Sequence, residues 1–268
     1  GAKCPAGQPR PAVVVPAPAD DVLISEAVAA AAASDVVVAV VGDRIELVGE
    51  GRSTATLELI GGQNALLDAL IATGTPVVVV LLASKPLVLP ASVSRAAAVV
   101  WAANPGMQGG RALAEIISGA VEPSGRLPIS FARHVGQQPT YYNQIRGQHG
   151  DRYADLTQSP AWAFGEGLSY STVSYGDLSL ASTTLGRDET IVAEVTVTNA
   201  GARPVRETVQ VYVRDSVTSV SWADRELKAY RQIELAPGES ARVRLELAVA
   251  ECSIVDAAGH RLVAPGAV

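Results

Sequence analysis

Three short runs of aliphatic residues, at 36–41, 77–82 and 96–101, dominate the first half of the chain. Each run is continuously apolar rather than alternating, which is typical of strands buried on both faces of a parallel sheet. Segments long enough for helices separate the runs, with short connections between them. Strand and helix alternating in this way predict an α/β layer with a mostly parallel sheet covered by helices.

The segments between the aliphatic runs carry helix start and stop signals. Asp20 or Asp21 can cap an Ala-rich helix that extends to about Ala33. The segment GGQNALLDALIATG predicts a second helix closed by Gly74, since glycine readily adopts the left-handed conformation at a helix end. The segment NPGMQGGRALAEIISG predicts a turn and a third helix that ends at Gly119.

The second half of the chain has a different character. Periodicity fades between about residues 121 and 171, which reads equally as a long functional connection or a plain linker. From 173 onward, short alternating runs separated by turn signals predict an immunoglobulin-like β-sandwich, and the lack of a Cys…Trp…Cys spacing favours a fibronectin type III–like one. We therefore expect an α/β sandwich domain at 1–133, an ordered connecting segment at 134–172 and a fibronectin type III–like domain at 173–268.

Charge and residue counts exclude several classes of function. The net charge is −6 with scattered Lys and Arg, which argues against nucleic acid or an anionic membrane surface as a partner. No apolar run is long enough to span a bilayer. The histidines His134, His149 and His260 lie far apart, and no C-x-x-C or Cys/His cluster is present, so we expect no zinc site. Cys4 and Cys252 could form one disulfide or remain free thiols.

The loop after the first aliphatic run is rich in charge: it carries Asp43, Arg44, Glu46, Glu50, Arg52 and Glu58. An acid on such a loop lies at the carboxyl edge of the sheet, where open α/β sheets bind ligands. A solvated loop accounts for Asp43 and Glu46. Glu50 lies between two glycines, which allow the backbone to bend sharply and approach a ligand. Glu50 is therefore the catalytic candidate, and Arg52 could orient it or bind a substrate hydroxyl.

A nucleotide site is the main alternative that the glycines raise. The segment VVGDRIELVGEG follows a strand but lacks G-x-G-x-x-G and does not run straight into a helix. The segment NPGMQGG precedes a helix and could hold an anion, although a plain turn explains it as well. No G-x-S-x-G motif is present. A nucleotide-linked α/β enzyme is thus the weakest hypothesis.

One long segment resembles a known family. VVGDRIELVGEGRSTATLELIGGQNALLDALIATGTPVVVVLLASKPLVLP is similar to the acid/base region of glycoside hydrolase family 3 β-glucosidases. Further matches follow in the family's order: PGMQGGRALAEIISGAVEPSGRLPISFAR, GQQPTYYN, RY at 152–153, FGEGLSY and LKAYRQIELAPGES. The resemblance extends from near residue 20 to near residue 250. It implies an (α/β)6 sandwich followed by a fibronectin type III–like domain.

The resemblance also implies an activity, and it implies that the two catalytic carboxyl groups lie on different domains. It indicates a retaining β-glycosidase without a cofactor, with β-glucosidase first and β-xylosidase or a related exo-acting enzyme next. Glu50 would be the general acid/base, and Arg52 a substrate contact. Retaining enzymes need a second carboxyl group about 5–5.5 Å from the first. In the family this is an aspartate on an N-terminal TIM barrel, which nothing in this sequence resembles, so the chain alone is predicted to be inactive.

Several positions depart from the family pattern. Ser53-Thr54 stand where relatives often carry a second Arg or Asp-Arg, Gln108 where PG-EGG is common, and Lys85 in place of an arginine. These changes indicate looser substrate contacts or a specialised subgroup. The alternative hypothesis is a non-catalytic carbohydrate-binding or assembly protein that retains the fold. A secreted or periplasmic location is slightly favoured over a cytoplasmic one.

Overall fold

The computed structural model of the chain describes residues 17–50, 52–145 and 153–267. The chain divides into two compact units: Gly1–Leu113 with Ala132–Gln138, and Ala114–Phe131 with Pro139–Val268. Residues 114–131 belong to the second unit in this division, and the expected domain boundaries stay a prediction.

The first unit is built around a parallel sheet. Its elements, with α3 running on into the second unit, are α1 (Asp21–Ala32), β1 (Val37–Gly42), a 3₁₀ turn (Ile45–Leu47), α2 (Gln63–Ala72), β2 (Val77–Leu82), a second 3₁₀ turn (Ala91–Arg95), β3 (Ala98–Trp101) and α3 (Gly109–Ile117). The strands lie in the order β1-β2-β3, and both neighbouring pairs are parallel. The predicted parallel sheet with helices is confirmed, although a 3₁₀ turn rather than an α-helix connects β2 to β3.

Helix ends in this unit follow the local signals in the sequence. The Asp20 carboxylate accepts hydrogen bonds from the backbone N–H groups of Val22 and Leu23 at 3.0 and 3.1 Å, so it caps α1 as expected. Gly74, after α2, and Gly119, after α3, have φ values of +81° and +76°. Both glycines therefore adopt the left-handed conformation that ends a helix.

Burial in the sheet is uneven. Val79 and Leu81 of the central strand β2 are fully buried, as are Ala39 and Val41 on one face of β1. The prediction that β1 is buried on both faces is wrong, because Val38 and Val40 are 43% and 59% exposed. Strand β1 is an edge strand of the described sheet, and the described residues leave its second face uncovered.

The second unit is an antiparallel β-structure. Its strands are β4 (Val173–Leu180), β5 (Thr190–Asn199), β6 (Val205–Val213), β7 (Glu226–Leu235), β8 (Ser240–Ala248), β9 (Ile254–Val255) and β10 (Arg261–Leu262). Strands β4-β5-β8 form one sheet and β6-β7 another, and β9 pairs with β10. A shared apolar core contains Val197, Val205, Val209, Leu235, Val243 and Leu245. The predicted fibronectin type III–like fold is confirmed.

Two buried polar groups fix the connections of this unit. Asn199 is fully buried, and its amide nitrogen donates to backbone carbonyls of Arg203 and Leu235 at 2.7 and 3.1 Å. Glu207 accepts hydrogen bonds from Arg126 and from the Tyr175 hydroxyl, each at 2.7 Å. Burial and then the Glu207 contact raise the pKa of Tyr175. The segment at 114–131 is thus held to the sandwich by a satisfied buried ion pair.

Aromatic packing orders the described parts of the connecting segment. The Trp162 ring meets the Phe131 ring edge-to-face at 5.8 Å, and the two residues also form an antiparallel backbone bridge. Tyr142 stacks on Phe164 with ring centroids 4.0 Å apart. Trp162 therefore acts as a packing residue in this unit, whereas residues 146–152 lie outside the described part of the chain.

Gly42, the last residue of β1, generates a stability prediction. Its φ is +143°, and an added Cβ would lie 2.0 Å from the carbonyl oxygen of Leu82 on β2. We expect Gly42→Ala to lower the free energy of unfolding by about 3 kcal/mol, because the two strands must separate at this end. Urea denaturation of the chain measures the loss. Gly110→Ala is the matched control, since an added Cβ meets open space on α3, and equal losses in both variants would contradict the prediction.

Candidate active site

The acidic loop leaves the sheet at the carboxyl end of β1. The backbone N–H of Asp43 donates to the Leu82 carbonyl at 2.9 Å, so pairing with β2 extends one residue beyond the strand. A 3₁₀ turn at Ile45–Leu47 follows, and the next α-helix begins only at Gln63. This geometry differs from a dinucleotide-binding turn, in which the strand leads directly into a helix.

Glu50 lies at the tip of a tight turn in this loop. The backbone N–H of Arg52 donates to the Gly49 carbonyl at 3.2 Å, which closes the turn around Glu50. Gly49 has a φ of +110°, a conformation that favours glycine; Gly51 lies outside the described residues. Glu50 is exposed, and no described residue forms a hydrogen bond or ion pair with its carboxylate. Its carboxylate is therefore free to meet a ligand.

Arg52 is exposed in the same turn. Its charge acts on Glu46, where it helps to lower the pKa of that carboxyl. Among the described residues, no hydrogen bond or ion pair joins the Arg52 guanidinium to Glu50. The role of Arg52 toward Glu50 or a substrate hydroxyl stays a prediction.

The Glu46 carboxylate interacts with a residue of the same loop. Arg44 forms an ion pair with it, with Nη2 and Oε1 3.0 Å apart, and both side chains are substantially exposed. A hydrogen bond with the Glu46 backbone and then the Arg44 contact hold the pKa of this carboxyl below its usual value. The prediction that Glu46 belongs to a solvated loop is confirmed.

Asp43 behaves differently from the expectation for a solvated loop, which is wrong for this residue. Its side chain is only 2% exposed, and the Lys85 ammonium nitrogen lies 3.8 Å from its Oδ2. Neither carboxylate oxygen has a hydrogen-bond partner among the described residues. Because its backbone still pairs with Leu82, Asp43 belongs to the end of the sheet rather than to the open loop.

Gln63 clamps the base of the loop, and sequence reasoning missed it. Its Oε1 accepts a hydrogen bond from the Gly42 N–H at 2.7 Å, while its Nε2 donates to the carbonyls of Gly42 and Ile60 at 3.0 and 2.9 Å. The side chain thus ties the end of β1 to the start of α2. A glutamine at the first position of a helix follows no pattern that predicts such a contact.

The described residues bear on two further properties, metal binding and membrane crossing. They contain no group of three or more His, Cys, Asp and Glu side chains placed to bind a metal ion. None of the helices in the described ranges has the length and apolar character needed to cross a bilayer. Cys252 carries a free, half-buried thiol whose pKa is raised by burial, whereas Cys4 lies outside the described residues.

Comparison with known proteins assigns the fold to a family. Residues 7–170 match the glycosyl hydrolase family 3 C-terminal domain, and residues 207–268 match the fibronectin type III-like domain. The first match covers more than half of the chain. The chain belongs to glycosyl hydrolase family 3. The resemblance drawn from the acidic loop and the motifs that follow it is therefore confirmed.

Curated relatives in family 3 are longer than this chain. A periplasmic beta-glucosidase of Salmonella typhimurium is 39% identical over 81% of this chain and 30% of its own length. A beta-xylosidase of Formosa agariphila is 38% identical over 90% of this chain and 34% of its own length. The chain thus spans about a third of the length of the curated relatives it matches.

A solved structure of the family shares the fold closely. It is a β-glucosidase involved in saponin metabolism from intestinal bacteria, 55% identical to this chain with a TM-score of 0.91. The match covers 99% of this chain and 38% of that protein. The α/β and fibronectin type III–like parts described above are therefore a family 3 architecture.

The Gln63 clamp yields a prediction about the loop of this family 3 chain. We expect Gln63→Leu to lower the free energy of unfolding by about 2 kcal/mol, because it leaves the N–H and carbonyl of Gly42 unpaired. Hydrogen exchange at the Gly42 amide should also accelerate. Gln108→Leu is the control, since Gln108 is exposed, and its cost should stay within about 0.5 kcal/mol. An unchanged Gly42 exchange rate in Gln63→Leu would contradict the clamp.

Proposed function

We propose that this chain is the C-terminal part of a retaining β-glycosidase and supplies Glu50 as its general acid/base. The proposed activity is that of a β-glucosidase, which hydrolyses terminal non-reducing β-D-glucosyl residues. The nucleophilic aspartate would come from a TIM-barrel domain that these residues do not include.

The proposed reaction has two steps that use the same carboxyl group. Glu50 first donates its proton to the glycosidic oxygen while the partner aspartate bonds to the anomeric carbon and the leaving group departs. Glu50, now a carboxylate, then takes a proton from a water molecule that attacks the anomeric carbon and releases the aspartate. No cofactor is needed in this scheme.

One observation carries the assignment to Glu50 rather than to Asp43 or Glu46. Asp43 is buried against Lys85, which follows β2, and Glu46 is paired with Arg44, so both carboxylates already have a cationic partner. Glu50 is exposed at the tip of the turn without such a partner among the described residues. A general acid must reach the glycosidic oxygen to hydrogen-bond distance, and the exposure of Glu50 supports this role for it over Asp43 and Glu46.

The names of the relatives support the choice of sugar. The solved structure that is 55% identical is a β-glucosidase, as is the Salmonella typhimurium relative, while the Formosa agariphila relative is a β-xylosidase. A β-glucoside is therefore the proposed substrate, with a β-xyloside as the second choice. Arg52, exposed two residues after Glu50, is the proposed contact for a substrate hydroxyl.

The assignment of Glu50 predicts a leaving-group signature. Once the chain is joined to its nucleophile-bearing domain, we expect Glu50→Gln to lower kcat/KM about 10²–10⁴-fold on an alkyl β-glucoside, because the leaving oxygen is no longer protonated. The loss of kcat/KM should be much smaller on an aryl β-glucoside with a good leaving group, whereas kcat should fall on both substrates because the second step still needs the base. Glu46→Gln, a change of the same kind in the same loop, should keep its activity. Unchanged kcat in Glu50→Gln would rule out the assignment.

The chain by itself should not turn over an aryl β-glucoside, since one carboxyl group cannot both protonate the leaving oxygen and capture the glycosyl cation. Release of the nitrophenolate ion from a nitrophenyl β-glucoside measures this directly. Turnover that survives purification and disappears in Glu50→Gln would contradict the need for a second domain. Binding of glucose by calorimetry, with no turnover even in the joined protein, would favour the non-catalytic carbohydrate-binding alternative.

A further inference from the structure

A buried ion pair lies beside the base of the turn that carries Glu50. The Asp43 carboxylate is 2% exposed, and neither of its oxygens has a hydrogen-bond partner among the described residues. The Lys85 ammonium is 3.8 Å from it, too far for a hydrogen bond but close enough for a strong charge interaction in a buried site. Burying a carboxylate without a cation nearby costs folding free energy, so the Lys85 ammonium stabilises the charged form of Asp43 in this site.

Lys85 has a second partner, Thr54, which follows the turn that carries Glu50. Its ammonium donates a hydrogen bond to the Thr54 hydroxyl, and that hydroxyl donates to the Thr56 carbonyl at 3.0 Å. Lys85 itself follows β2, on a segment held by the backbone N–H of Val88, which donates to the Leu57 carbonyl at 2.7 Å. One ammonium group therefore contacts both the first residue of the loop and a residue four positions after Glu50.

We infer that Lys85 is a positioning residue that, through Asp43 and Thr54, closes the loop and fixes the turn carrying Glu50. This inference rests on the proposed acid/base role of Glu50. If Lys85 served only to balance the charge of Asp43, the ion pair alone would be enough and Lys85 would not need to contact Thr54. The hydrogen bond to Thr54 is what links the ion pair to the turn, since the turn lies between Asp43 and Thr54 in the chain. Among the described residues, the turn itself is closed by the backbone hydrogen bond from Arg52 to Gly49.

Positioning has a kinetic consequence that differs from plain stability. A loosened turn misplaces Glu50, so it lowers kcat/KM, which reports the first bond cleavage, for substrates whose leaving oxygen must be protonated and spares kcat/KM for those with a good leaving group. General destabilisation removes active molecules and lowers both kcat/KM values equally. The ratio of the two kcat/KM values therefore distinguishes a positioning role from a structural one.

The test compares Thr54→Val, which removes the hydroxyl but keeps the Asp43–Lys85 pair, with Thr56→Val. The Thr56 hydroxyl accepts a hydrogen bond from the Glu58 N–H. In the joined enzyme we expect Thr54→Val to lower kcat/KM about tenfold to a hundredfold on an alkyl β-glucoside, with little change in kcat/KM on an activated aryl β-glucoside. Thr56→Val should leave both kcat/KM values near those of the parent. Lys85→Met should reproduce the Thr54→Val pattern with added destabilisation, and Lys85→Arg should restore part of the rate.

Amide hydrogen exchange of the chain alone supplies an independent readout. In Thr54→Val the amides of residues 44–54 should exchange faster while those of β2 remain unchanged, and in Thr56→Val both sets should match the parent. Equal behaviour of the two threonine variants, or equal losses on both substrates, would overturn the inference. If Glu50→Gln keeps full activity while the exchange pattern holds, the acid/base assignment fails and the loop closure by Lys85 stands without a catalytic purpose.

Discussion

The pairing of β1 with β2 up to its last residue is the contact on which the site depends. The two strands are in register from Val37 with Val77 to Gly42 with Leu82, and the Asp43 N–H adds one more bond to the same Leu82 carbonyl. Gly42 permits this because a side chain would strike that carbonyl. The loop therefore leaves the sheet at a fixed point, and the Gln63 side chain holds that point from the side of the helix.

Three of the four acids of the loop, Asp43, Glu46 and Glu50, have three different environments, which shows how position along the loop governs chemistry. Asp43 is the residue nearest the sheet, and it is buried and matched by Lys85. Glu46 lies on the 3₁₀ turn, where Arg44 and a backbone hydrogen bond stabilise its charged form. Glu50 comes last of the three in the chain and is exposed on a turn that begins at Gly49. Its exposure and its lack of a cationic partner among the described residues separate the catalytic candidate from the other two.

The sequence predicted those features that depend on neighbouring residues and failed where distant ones decide. The Asp20 cap and the helix-ending glycines Gly74 and Gly119 are local, and all were found. The predicted burial of β1 on both faces is wrong. Its aliphatic composition shows that both faces could be covered, but it does not show which elements of the fold cover them. Asp43 was misjudged for a similar reason, since its partner Lys85 lies on another strand's loop. Gln63 and Thr54 carry no local signal for contacts with Gly42 and Lys85.

Two departures that the resemblance to the family implies involve residues in contact with each other. On that resemblance Lys85 stands in place of an arginine, and Ser53-Thr54 stand where relatives often carry a second Arg or Asp-Arg. An arginine can bind a carboxylate through two parallel N–H donors, whereas an ammonium is a compact charge with three separately directed donors. Here the ammonium stays 3.8 Å from Asp43 and directs a donor to the hydroxyl of Thr54. The threonine thus supplies the acceptor that a lysine at this position can use, which couples the two substitutions and explains how this chain can close its loop without the arginine.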